Sequence, residues 1–159
     1  MTFTEKEIKF RYQINFTGEE KIRLGVVVGL INKKNQILLE QRSDCGWWGI
    51  TGGKLDIGET VEECAAREIK EECNIEINQK NLELIGVYSN KNEGRILQYP
   101  DNRVHIIDIV YILKEENFMG IKKSNESLKL EFFNFENLPN KLVPPALKPL
   151  ADISLIIDE

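Results

Sequence analysis

The chain is poor in several residue types, and each shortage narrows what it can be. Only three of its 159 residues are cysteine, at positions 45, 64 and 73. An odd count without C-x-x-C spacing argues against a disulfide framework and a zinc site. It reads as free thiols in a reducing cytoplasm. There is a single histidine, His105. It opens an apolar run and is expected to be structural. Basic residues are outnumbered, 21 Lys and Arg against 26 Asp and Glu, for a net charge of −5. The chain therefore has no global basic footprint for a nucleic-acid polymer or an anionic membrane. No apolar run approaches the roughly 18 to 20 residues that a membrane span requires. The opening MTFTEKEIKFRYQINF has charges throughout and no apolar signal-peptide core. Internal repeats and low-complexity tracts are absent.

What is present suits one domain spanning residues 1–159. A hydrophobic content of 42% and a charged content of 30% are ordinary for a globular protein. Ile8 to Phe16 alternates as a strand does. Ile22 to Ile31 is a β-branched apolar run suited to a buried strand. Asn32–Asn35 reads as a turn, with Gln36 to Arg42 returning as a hairpin partner. Trp47 to Thr51 adds a short strand before paired glycines. Leu82 to Ser89, Val104 to Leu113 and Leu128 to Asn134 are further strands. The polar stretch Asn90 to Arg103 reads as a loop, with a turn signal at Tyr99-Pro100-Asp101-Asn102. Glu136 to Pro139 is a turn, and Pro144 to Ile156 is a closing helix that tolerates Pro145 in its first turn. Strands interleaved with helices predict an α/β sandwich around a mixed sheet.

The most informative stretch is Gly53 to Ile75, GKLDIGETVEECAAREIKEECNI. Thr60-x-x-Glu63 is a capping box, which predicts a helix over Val61 to Cys73. Stepped at about 100° per residue, Val61, Cys64, Ala65 and Ile69 form an apolar stripe. Glu68 and Glu72 fall inside that stripe and Glu71 lies at its edge. Inward carboxylates are costly unless paired or metal-bound. Like charges at i, i+3 and i, i+4 each cost a further roughly 0.2 to 0.5 kcal/mol. Glu59, Glu68, Glu71 and Glu72 are spaced to gather around a hard divalent cation, a device suited to phosphate chemistry. The plain alternative is a solvated acidic face.

The same stretch resembles the signature of the Nudix hydrolase family, G-x5-E-x7-R-E-U-x-E-E-x-G-U, where U is bulky and apolar. Gly53, Glu59, Arg67-Glu68-Ile69, Glu71-Glu72 and Ile75 stand in register. Asn74 replaces the late glycine, and Asn is the next best residue for a left-handed helix terminus. Upstream, Trp48-Gly49-Ile50-Thr51-Gly52-Gly53 is similar to the family's lead-in, with Thr51 where a proline is common. The box covers 23 of the 159 residues. The resemblance implies the family's α/β/α sandwich with a mixed central sheet.

It further implies that Glu68, Glu71 and Glu72, with the Gly53 carbonyl, hold Mg²⁺ or Mn²⁺, and that Glu59 and Arg67 form an ion pair shaping the loop. Arg67 could instead be an exposed partner of Glu63 or Glu71. The implied reaction is hydrolysis of the diphosphate linkage in a nucleoside diphosphate derivative by metal-activated water. Glu126 is the candidate late acid, as ligand or general base, or else a plain loop glutamate; Glu115 and Glu116 are weaker rivals. Arg42 is either a substrate-phosphate contact or a surface strand end. Trp47 and Trp48 either stack on a base or, the better expectation, pack in the core.

The subfamily marks for ADP-ribose and diadenosine polyphosphates are missing at Asn90 and at Lys91 to Glu93, and no coenzyme A motif is present. A nucleoside triphosphate, intact or oxidised, is placed ahead of ADP-ribose and nucleotide sugars. Homodimerisation is in keeping with many relatives. The competing readings are a catalytically weak nucleotide-sensing domain of the same family and an unrelated acidic protein.

Overall fold

A computed structural model describes residues 15–99, 102–115 and 118–157. Its framework is a parallel pair. β1 (Lys21–Ile31) runs beside β7 (Arg103–Lys114) over eleven matched positions, from Lys21↔Val104 to Ile31↔Lys114. Both strands are rich in Val, Ile and Leu, as strands covered on both faces must be. The sheet extends in the order β3 (Trp48–Ile50), β2 (Ile37–Arg42), β1, β7, β5 (Glu83–Tyr88). β4 (Gly52–Lys54) pairs with β1, β6 (Ile96–Gln98) with β7, and β8 (Ser127–Phe133) with β2. All pairings except β1–β7 are antiparallel, so the sheet is mixed, as expected.

Alternation along β1 divides the core between two faces. Val26, Val28 and Leu30 pack beneath α1 (Val61–Cys73), with Cys64, Ala65, Ile69 and Cys73. Ile31 and Val27 face α2 (Pro144–Ile157), with Ala146, Leu150 and Ile153. All three cysteines are free and buried. Among the described residues no helix is long and apolar enough to cross a membrane.

The helices, the long strands and the turn at Asn32–Asn35 lie where the sequence places them. Three differences have physical causes. First, the hairpin between β1 and β2 is reduced to one matched pair, Ile31↔Ile37, because β2 spends its length on β3 and β8. Second, the paired glycines are strand β4 and not loop. Gly52 is in extended backbone lying against Val26 and Val27, where any side chain would collide with the β1 backbone. Third, the stretch Asn90–Arg103 contains β6. Gly94, at φ 75°, turns the chain so that Ile96 and Leu97 can pair with β7 and be buried. The strand expected over Ile8 to Phe16 falls mostly outside the described residues; Asn15 and Phe16 are not in a strand.

α2 contains Pro149, which has no N–H for the carbonyl of Pro145. That carbonyl instead accepts Arg95 Nη2 at 2.8 Å. The stretch Asn90–Arg103 is thereby fastened to the closing helix.

Candidate active site

The capping box sets the start of α1. Thr60 Oγ1 accepts the Glu63 N–H at 3.1 Å, and Glu63 Oε1 accepts the Thr60 N–H at 2.9 Å. Asn74 ends the helix in the left-handed conformation, φ 59°, and its N–H caps the Lys70 carbonyl. Between these points the apolar stripe seats α1 on the sheet, so the acids within the stripe are carried inward too.

Glu72 is the deepest of them, 8% exposed, and accepts the Gly52 N–H at 3.3 Å. Its carboxyl meets that of Glu40, which reaches in from β2 and is also 8% exposed. Glu40 Oε2 in turn accepts the Ser127 hydroxyl at 2.8 Å. Burial, then the negative charge and hydrogen bond of Glu40, push the Glu72 carboxyl up to about 10. Glu68 lies against β4, and a Cβ added to Gly53 would collide with its carboxyl group. Burial raises the Glu68 carboxyl above its usual range, opposed by Arg67.

Arg67 gathers the loop. Its Nε and Nη2 donate to the two Glu59 oxygens at 2.9 and 2.7 Å, and Nη1 donates to Glu68 Oε1 at 2.8 Å. Nη2 also reaches the Lys54 carbonyl at 3.1 Å. The guanidinium holds the Glu59 carboxyl down at about 2. Arg67 also touches Glu71 at 3.3 Å, but that side chain is 59% exposed and lies on the rim. Glu63 belongs to the capping box. The two pairings weighed for Arg67 thus resolve toward Glu59, with Glu71 as a minor contact.

The other candidates are more dispersed. Glu126 is exposed; its backbone carbonyl accepts the Ser43 hydroxyl at 2.6 Å, and the next residue, Ser127, is the one turned inward. Arg42 grips Asp44 through two bonds of 3.0 and 2.7 Å and lines a cleft on the sheet's other face. Trp48 packs edge-on to Phe133 with ring centres 5.0 Å apart, and Trp47 joins the same core. His105 Nε2 bonds the Ser89 carbonyl at 2.6 Å, a structural tie. Glu115 gives its backbone N–H to Ile31, and Glu116 lies outside the described residues.

The cleft encloses about 750 Å³, part of it open to solvent, between the sheet and α2. Gly52, Gly53 and Lys54 form one of its walls, so β4 has the cleft on one side and the acids on the other. Arg23, Arg42, Tyr99 and Asp108 supply its polar groups.

Glu40, Ser127 and Asp108 are absent from the sequence-based site. Signals existed for two of them. Glu40 stands two residues after Leu38 in an alternating strand, and so shares its buried face. Asp108 interrupts the apolar run VHIIDIVYIL. Ser127 carried none.

A family model described as the NUDIX domain matches residues 21–153. The chain belongs to the NUDIX family. The acidic helix and its leading loop are thus a NUDIX box in its own fold. An ADP-ribose pyrophosphatase of Methanocaldococcus jannaschii is 39% identical over 118 residues, 71% of this chain and 63% of that protein. A dihydroneopterin triphosphate diphosphatase of Escherichia coli is 35% identical over 60 residues, 38% of this chain and 40% of that protein. The chain therefore spans less than two thirds of these relatives' lengths. Among solved structures, a MutT NUDIX hydrolase of Burkholderia pseudomallei superposes with a TM-score of 0.68 at 26% identity, covering 84% of this chain and 99% of that one.

The donor set suits a hard divalent cation. Glu68 and Glu72 are oxygen donors held inward, and among the described residues the only guanidinium touching them, Arg67, is directed at Glu68. Among the described residues no three acids yet converge in ligating geometry. The Glu40–Glu72 contact and the Arg67–Glu68 bond occupy the oxygens a cation would take.

Proposed function

We propose that this NUDIX protein is a divalent-cation-dependent pyrophosphohydrolase that cuts the P–O–P linkage of nucleoside diphosphate derivatives. One observation carries the reading: Glu72, buried beside Glu40 and close to Glu68, has no protein cation of its own among the described residues. Two carboxyl groups are brought together out of water at the cost of holding a proton on Glu72, and such an arrangement persists where a ligand can supply positive charge in its place.

Glu68 and Glu72, with the Gly53 carbonyl and Glu71 from the rim, would hold Mg²⁺ or Mn²⁺. When bound, the cation polarises phosphate oxygens and lowers the pKa of water. The protein groups do the positioning. Arg67 fixes Glu59 and the loop so that Gly53 stays against the helix. Glu40 receives the Ser127 hydroxyl and stands beside Glu72, holding that carboxyl in place. Glu126, one residue from Ser127 and exposed, remains the candidate late acid that takes a proton from attacking water. Arg42, on the cleft, would meet substrate phosphate. No Ser or Cys nucleophile is needed, because phosphoryl transfer depends on positioning and charge neutralisation.

Among substrates, the relative matched over 71% of this chain is an ADP-ribose pyrophosphatase. That moves ADP-ribose level with the nucleoside triphosphates that the sequence alone placed first. The test is hydrolysis of both, and of nucleotide sugars, with Mg²⁺ or Mn²⁺ in ¹⁸O-water. The label is expected on a phosphate product, with no turnover in the presence of chelator. Label on a sugar carbon, or cleavage of simple monoesters with diphosphates untouched, would overturn the proposal. Tight nucleotide binding without turnover would favour a sensing domain.

A further inference from the structure

The cleft holds a polar group that the diphosphate chemistry does not use. Asp108, on β7, is matched to Gly25 on β1. Its side chain lies in the space that glycine leaves, and a Cβ at Gly25 would collide with Asp108 Oδ1. Asp108 Oδ2 accepts Arg95 Nη1 at 2.9 Å, with Arg95 only 1% exposed. The second guanidinium nitrogen does not complete a two-pronged pairing; it goes to the Pro145 carbonyl that Pro149 leaves open. Among the described residues Oδ1 receives no hydrogen bond, and Asp108 lines the cleft. Burial raises its carboxyl above the usual range, opposed by Arg95. Because the guanidinium is permanently charged, the carboxylate is the form that leaves no buried charge unpaired. The floor of the cleft is thus an acceptor with one lone-pair side unused.

From this geometry we infer that Asp108 is the specificity-determining residue that reads N–H donors on the base of the nucleotide, with Arg95 as its positioning residue. The inference rests on the pyrophosphohydrolase reading, which puts the diphosphate at the β4 wall and leaves the attached group to enter the cleft. Val27, Leu97, Ile106, Val110 and Val143 supply apolar walls, and Tyr99 a ring. A flat heterocycle buries its faces there and needs few polar contacts. Arginine–carboxylate pairs are frequently two-pronged; this one leaves Oδ1 without a guanidinium partner, beside the cleft.

The experiment compares substrates that differ only in the base. Kinetics are measured with ADP-ribose, ATP and GTP, and with the diphosphate-ribose and triphosphate of nebularine, a purine with no donor on its six-membered ring. The preferred donor-bearing base is expected to exceed nebularine by about 10- to 100-fold in kcat/KM, chiefly through KM, as for hydrogen bonds to a charged group. In the double variant Arg95→Met/Asp108→Leu, which avoids a lone buried charge, that ratio should fall to about one. Asp108→Asn, which keeps an oxygen for Arg95, should lower it at least tenfold if the double variant does not fold. The same ratios, read by calorimetric titration of non-hydrolysable methylene diphosphate analogues, test the base preference even if turnover is absent, which would sink only the hydrolase reading. A wild type indifferent to nebularine, variants that keep the full ratio, or a preference that follows the ribose 2′-hydroxyl would overturn the inference.

Discussion

Two sets of buried charges lie on opposite faces of this sheet, and they are built differently. Beside α2, Asp108 is met by Arg95, and Arg95 by the Pro145 carbonyl, so the charges cancel within the protein. Beside α1, Glu72 meets Glu40, a group of its own sign. The first arrangement is balanced in charge in the absence of ligand and can give rigid shape to a cleft. The second is incomplete and gains from a cation. The fold neutralises one buried carboxylate with an arginine and leaves another to be neutralised by a proton or, on the proposed reading, by a cation.

The contrast is broken most severely by removing one partner of the balanced pair. Asp108→Ala leaves Arg95 buried and alone, and should cost about 3 to 5 kcal/mol in urea unfolding. The double variant with Leu and Met should recover most of that loss. On the other face the sign reverses. Glu72→Gln removes a carboxyl group that the metal-free fold must keep protonated at pH 8, so metal-free stability there should rise. Turnover at saturating Mg²⁺ should nevertheless fall at least about 10²-fold, as when one main electrostatic element is lost. Paired measurements of melting temperature and kcat separate the two effects. Near-wild-type turnover would remove Glu72 from the site.

A more gradual test uses pH. The folded Glu72 carboxyl is raised from 4.5 to about 10. Below about pH 4.5 folded and unfolded chains both keep this proton, and its contribution to stability is fully present. As pH rises from there toward 10, the unfolded chain gives up the proton while the folded one retains it, so metal-free stability should fall. Mg²⁺ or Mn²⁺ should flatten that decline by binding only the folded state. A clearly shallower decline in Glu72→Gln, with the remainder left to the raised Glu68 carboxyl, assigns the slope to this residue. The smallest change is local: Thr60→Ala deletes the helix cap and should cost about 1 kcal/mol, with the chemistry little altered.

The box was legible because its information is local. Thr60, Glu63 and Asn74 act on residues three or four positions away, and the burial of Glu68 and Glu72 follows from helical periodicity. The acid pair and the cleft floor depend instead on pairings between distant segments. Ser127 reaches Glu40 only because β8 lies beside β2, and Arg95 reaches Asp108 only because β6 folds back on β7. No local pattern encodes those registers. β4 escaped for a different reason: glycine has poor strand propensity, and here it is required by close backbone approach.

The parallel pair at the centre also has a consequence in time. Glu20 and Arg103, 83 residues apart in sequence, meet at the end where β1 joins β7. During synthesis from the N-terminus, β1, β4 and the whole acidic helix emerge well before the strand that covers β1's other edge. Closing so long a loop must precede the contacts that reward it, which makes this step slow and leaves an apolar strand edge exposed meanwhile. The ribosome therefore delivers the acidic helix first and the strand that locks β1 last, and the early segment depends on the late one to become a stable surface.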